Sequence, residues 1–184
     1  MEWTIPGTVL TGRRADVEAS IRQIEGMFLG GGMIRSQLAS VTGVEAHDIQ
    51  NWVKRGFLPS PVNKRYSCNQ FCRIVIINML RTAMPMEQIC SLLAYINGKL
   101  DDESDDLIDD TVLYFMFLRL AARARHIGGQ DRWEEAIEDV LSSYREPIPG
   151  AKERISRVLR IMLTAWFGVQ LIRKAGQMLA ELKV

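Results

Sequence analysis

Histidine and cysteine are scarce in this chain of 184 residues, with two of the first and three of the second. His47 and His126 stand far apart, and Cys68, Cys72 and Cys90 form an odd set without a second ligand pair. That excludes a disulfide framework and the paired spacings of a zinc site. There is no nucleophile elbow, no Cys–His–Asp order and no glycine loop followed by Lys-Ser/Thr. The chain is therefore expected not to be an enzyme and to hold no metal or cofactor. Long apolar runs are missing too. The longest uncharged one, Ile161 to Ile172, is closed by Arg160 and Arg173 and falls short of a bilayer. The first residues, Met-Glu-Trp-Thr-Ile-Pro, lack the basic and apolar regions of a secretory leader. With unpaired cysteines, these absences point to a reducing cytoplasm and no membrane partner.

What is present suits a soluble globular chain. Hydrophobic residues make up 47% and charged residues 24%, enough to bury a core as one domain or as a small domain with an appendage. The net charge of +1 conceals two sectors. Met33 to Arg81 carries seven bases and two acids, net +5, whereas Lys99 to Asp110 carries one base and seven acids, net −6. A basic sector is what a nucleic-acid surface needs.

The basic sector holds the most informative stretch, Met33 to Tyr66. Leu38 and Val41, then Ile49 and Trp52 or Val53, have the spacing of two short helices, each with one buried face. Gly43 stands four residues after Ala39 and is followed by Val44. A small residue lets the helices approach, glycine makes the tight turn, and valine plugs the angle, so the pattern predicts a helix-turn-helix. Gly56 caps the second helix. Pro59 and Pro61 then force an extended loop carrying Asn63, Lys64, Arg65 and Tyr66 at its far end. The outward candidates for phosphates and base edges are Arg35, Gln37, His47, Gln50, Asn51, Lys54 and Arg55.

Elsewhere the pattern is helical. Residues 1–12 predict an irregular arm, Ala15–Leu29 an amphipathic helix, and Gly30-Gly31-Gly32 a flexible joint rather than a phosphate loop. Ser67 and Gln70 form a capping box for a helix running to about Leu80, and Pro85 opens another over Met86–Ile96. The run Asp101–Asp106 fails as a calcium loop, since Asp106 and Val112 stand where glycine and glutamate are needed. Its simpler role is helix capping, together with Asp109 and Asp110. An apolar helix follows over Thr111–Ala124, with Arg123, Arg125 and His126 at its negative end, and a further helix over Asp131–Tyr144. The last and longest, Ala151–Leu182, has Ile155, Val158, Met162, Ala165, Val169 and Ile172 in a heptad seam. Leu159, Leu163, Trp166, Phe167 and Leu171 widen that seam, so it serves a dimer, a bundle within the chain, or both. The fold class expected is all-α, with minimal β in a short wing. Three segments follow: residues 1–32, 33–98 and 99–184.

Leu38-Ala39-Ser40-Val41-Thr42-Gly43-Val44, then Ile49, Trp52, Gly56-Phe57-Leu58-Pro59 and Arg65-Tyr66-Ser67 resemble the MerR-type winged helix-turn-helix. Pro85-Met86-Glu87-Gln88-Ile89 matches a later helix of that family, so the resemblance spans about Ile34 to Ile96. The fuller wording, from about Phe28 to Arg119, is similar to a bacterial family of uncharacterised proteins with a MerR-like domain. The resemblance implies a recognition helix at 46–54 and a wing at 60–66. It departs at Gln50 and Trp52, where the family carries arginine and tyrosine, and in a shorter wing. No metal-sensing cysteine arrangement or drug-binding domain follows.

These features together imply a dimeric regulator of transcription that binds double-stranded DNA. The alternative is a helical protein-interaction adaptor that keeps the helix-turn-helix as scaffold. Acidic Glu45 and Asp48, beside the reading helix, favour the adaptor.

Overall fold

A computed structural model describes residues 2–100, 103–124 and 130–182. Among these the chain is mostly helical, with eight α-helices and one two-stranded sheet. That agrees with the all-α class, but the sheet is not where the sequence suggested. It lies at the N-terminus. Strands β1 (Glu2–Thr4) and β2 (Thr11–Arg13) pair antiparallel, with Trp3 opposite Gly12. The stretch expected to be an irregular arm is thus a hairpin, and its loop is built into the core. Ile5 is fully buried, the Tyr114 hydroxyl donates to the Pro6 carbonyl at 2.7 Å, and Gly7 lies against Val75. A Cβ on Gly7 would come within 2.4 Å of the Val75 carbonyl oxygen, and its φ of +76° is one that glycine adopts freely.

Helix α1 (Val17–Gly26) is shorter than its periodicity predicts and starts at Asp16, whose carboxylate accepts from the Ala19 amide. After it, the glycine triplet is a defined turn rather than a flexible joint. Gly31 and Gly32 have φ of +84° and +96°, and a Cβ on Gly32 would stand 2.7 Å from the Tyr66 carbonyl oxygen. That close approach delivers Met33 into an antiparallel bridge with Tyr66.

Helices α2 (Arg35–Thr42) and α3 (Ala46–Lys54) follow, then α4 (Cys68–Leu80) and α5 (Met86–Asn97). The Ser67–Gln70 capping box forms as expected, each side chain bonding the other's backbone amide at 2.9–3.2 Å. Helix α4 is the hub: Phe71, Ile74, Val75, Ile76, Ile77 and Leu80 are all fully buried. Each such side chain contributes about 1.5–3 kcal/mol of transfer free energy. Around it pack α2, α5, α6 (Asp110–Arg123) and α8 (Ala151–Glu181). Helix α7 (Gln130–Val140) closes the far side, with Trp133 stacked on Phe167 at 5.3 Å. Ion pairs Glu18–Arg119, Arg123–Asp139 and Arg160–Glu134 tie the outer helices. One apolar core draws on all three expected segments: Ile24 from the first, Phe71 from the second, Phe117 and Ile155 from the third. Asp101, Asp102, Arg125 and His126 lie outside the described residues.

The heptad seam of α8 divides in two. Ile155, Val158 and Met162 are fully buried and Val169 is 3% exposed, so these positions expected at a dimer interface are filled by the chain's own helices. Ala165 is partly buried against the same core. Beyond Val169 the helix projects: Ile172 is 64% exposed, and Leu171, Met178 and Leu179 are exposed with it. At 31 residues, α8 is also long and apolar enough to cross a bilayer by length and composition, unlike the shorter uncharged run within it. Its most apolar window has a mean hydropathy of 1.4 and is 39% buried inside the protein.

Candidate nucleic-acid interface

Between α2 and α3 the backbone turns on Gly43, whose φ of +70° and bond from its amide to the Ala39 carbonyl make a left-handed cap. Thr42 reinforces the turn. Its hydroxyl donates to the Leu38 carbonyl at 2.7 Å and accepts from the Val44 amide at 3.2 Å, while Val44 itself is buried. Helix α3 buries Ile49 and Trp52, which leaves His47, Gln50, Asn51 and Lys54 on its exposed side. The bounds Ala46–Lys54 coincide with those read for a recognition helix.

The loop after α3 comes back as a minimal hairpin. Val62 and Arg65 exchange both backbone hydrogen bonds, at 3.1 and 2.9 Å, across Asn63 and Lys64. Both central residues have positive φ, +49° and +63°, the signature of a type I′ turn. Asparagine tolerates that conformation, but lysine adopts it at a cost of about 1–2 kcal/mol. Lys64 is thereby held at the exposed tip. At its base, Arg65 donates to the Gly32 carbonyl at 2.8 Å, and the Tyr66–Met33 bridge fastens the hairpin beside the start of α2. Gln70 also donates to the Pro59 and Ser60 carbonyls, holding the loop against α4.

The candidate residues therefore separate by what they are already bound to. Arg35, Lys54 and Lys64 are exposed and form no ion pair among the described residues. Arg55 is spoken for: it pairs with Glu87 at 3.1 Å and lies over the Phe57 ring at 4.4 Å. His47 sits 3.1 Å from Asp48. Gln37, though exposed, turns back along the helix to accept from the Ile34 amide at 3.0 Å, which makes it a helix-capping residue. Tyr66 needs the clearest correction. It is 4% exposed and packs in the core, because the bridge to Met33 turns its side chain inward, and it cannot reach DNA.

Some residues that shape this region were not singled out from the sequence. Arg73, on the otherwise apolar α4, donates to the Phe57 carbonyl and pairs with Asp110 at 3.0 Å, both side chains under 10% exposed. Burial pushes the Asp110 carboxyl above its ordinary value, while Arg73 pulls it back down. A lone arginine in an apolar helix and an acid at a helix start were the available signals. Asn78 donates from one amide nitrogen to the Gly7 and Thr42 carbonyls, both at 2.9 Å, pinning the N-terminal loop to the end of α2. Cys68 and Cys72 stand one turn apart on α4 as neighbouring thiols. That lowers the Cys68 thiol, whereas burial raises Cys72. Among the described residues there is no cluster of three metal-ligating side chains.

Residues 34–117 match a family model described as "Domain of unknown function (DUF1836)". The match begins at the cap of α2 and ends within α6, so it includes α3, the 60–66 hairpin and both members of the Arg73–Asp110 pair. No curated protein and no solved structure matches the chain.

Proposed function

We propose that residues 33–98 act as a MerR-like winged helix-turn-helix binding double-stranded DNA, and that the protein regulates transcription as a homodimer. The observation that carries this reading is that Arg35, Lys54 and Lys64 are exposed and without ion pairs among the described residues, and that Gln50 and Asn51 are exposed on α3. In this reading α3 enters the major groove. Gln50 and Asn51 pair with adenine edges, His47 makes a further base-edge contact, and Lys54 meets a phosphate at the helix end. Asn63 and Lys64 at the hairpin tip rest on the backbone as the wing. Arg55 and Arg65, already engaged by Glu87 and Gly32, contribute less. Exposed apolar residues of distal α8, Leu171, Ile172, Met178 and Leu179, support the dimer contact. Three free thiols accord with a reducing, cytoplasmic setting.

Selection of host genomic fragments by the purified protein tests the proposal. A recurring sequence, lost with Gln50→Ala/Asn51→Ala, is expected. The acidic start of α3, Glu45 and Asp48, favours a second reading in which the protein is an interaction adaptor and α2–α3 its scaffold. Retention of a protein partner with no DNA bound at low salt would select that reading.

A further inference from the structure

Helix α4 opens on Cys68, the residue directly after the Ser67 cap, and Cys72 follows one turn along the same helix. The two thiols differ in exposure. Cys72 is fully buried, whereas Cys68 is only partly buried and reachable from solvent. The amide dipoles of a 13-residue helix favour negative charge in its first turn, which is where Cys68 stands. The neighbouring Cys72 thiol holds the Cys68 thiol below its ordinary value. Thr111 at the start of α6 helps, and burial and the Glu25 carboxylate of α1 oppose. Cys72 itself is pushed upward, chiefly by burial, and so is Cys90 on α5. One thiol of the three is therefore both reachable and favoured as thiolate.

The spacing also decides what the pair does not do. Side chains one turn apart on a helix have Cβ atoms about 5–6 Å apart, and a disulfide needs about 3.5–4.5 Å. With α4 intact, Cys72 stands beside Cys68 without closing a ring on it. We propose that Cys68 is a site of reversible S-thiolation by low-molecular-weight disulfides. The Cys68 Sγ thiolate attacks one sulfur of the reagent, whose S–S bond breaks as the new one forms. Cys68 is oxidised. The departing half of the reagent is reduced, leaves as thiolate and takes up the proton that Cys68 released. Excess free thiol in a reducing compartment reverses the step. Cys72 is a positioning residue. The adduct stands at the turn from which Gln70 holds the Pro59 and Ser60 carbonyls.

The probe is hydroxyethyl disulfide, added to the reduced full chain between about pH 6 and 9 and followed by intact mass and peptide mapping. One adduct, on Cys68, is expected to form at least about fivefold faster than any on Cys90. Cys68→Ser should abolish it, and Cys90→Ser should leave it unchanged. Cys72→Ala should move the rate–pH profile of Cys68 to higher pH, and Cys72→Ser, which restores a donor, should move it back. Equal labelling of Cys90, or the wild-type profile retained in a folded Cys72→Ala or absent from Cys72→Ser, overturns the assignment. Loss of two hydrogens without an adduct shows the pair closing on itself, and the assignment fails then too.

Discussion

The Arg73 guanidinium stands 3.0 Å from the Asp110 carboxylate in the interior, joining the helix behind the candidate recognition unit to α6. Arg73 also holds the Phe57 carbonyl at the exit of α3, so one side chain fixes the hairpin loop and the C-terminal helices together. Removing one partner strands a buried charge. Arg73→Met or Asp110→Leu alone should cost about 3–5 kcal/mol, and the double substitution less than either. Denaturant titration of the three variants checks this; additive losses would show that the pair is not coupled.

The same carboxyl sets a pH dependence. Asp110 is raised above its ordinary value by burial, so the folded state keeps a proton that the unfolded state has already released. Its contribution to stability is complete below the unfolded value and is lost as pH rises through the folded one. Urea midpoints measured as pH rises from the ordinary aspartate range should therefore include a falling component that Asp110→Asn removes. A component that survives in the variant belongs to another group.

Lys64 offers a separation of folding from binding. Its φ of +63° strains a lysine and suits a glycine. Lys64→Gly relieves a backbone strain of about 1–2 kcal/mol against an entropy cost of about 0.5–1 kcal/mol for glycine, so the fold should be no less stable. The substitution should also weaken DNA binding on all sequences alike and reduce the salt slope by about one. Thermal melts and binding isotherms on one preparation give both signs. A variant of undiminished stability and affinity would remove the wing from the interface.

Much of the fold was legible because its helices carry their own punctuation. Ser67 and Gln70 announce α4, Pro85 and Gly98 bracket α5, and Gly43 with Val44 marks the turn before α3. The N-terminal hairpin was not legible, since strands of three residues show no alternation and owe their pairing to burial of Ile5 and the approach of Gly7 to Val75 of α4. Tyr66 was misread because a basic loop predicts exposure, while the Met33 bridge that inverts it joins residues distant in sequence. The α8 seam reads the same whether a heptad faces a second chain or its own bundle, and only the position of α5, α6 and α7 decides between Ile155 and Ile172.

That division makes the dimer proposal specific. Val169→Asp places a charge in the core and should unfold the chain rather than report on assembly. Ile172→Asp/Leu179→Asp, both on exposed positions, should leave the thermal midpoint within about 2 °C and convert dimer to monomer in sedimentation. A dimer that persists in this variant lies on another face.

The most direct measurement for the central claim is the salt dependence of affinity for selected genomic fragments, comparing the wild type with Lys54→Ala/Lys64→Ala. Both lysines are exposed and without ion pairs among the described residues, so the fold should be untouched. The account predicts weaker binding and a slope lower by about two. Unchanged affinity and slope, or no DNA retained by the wild type at low salt, would contradict it.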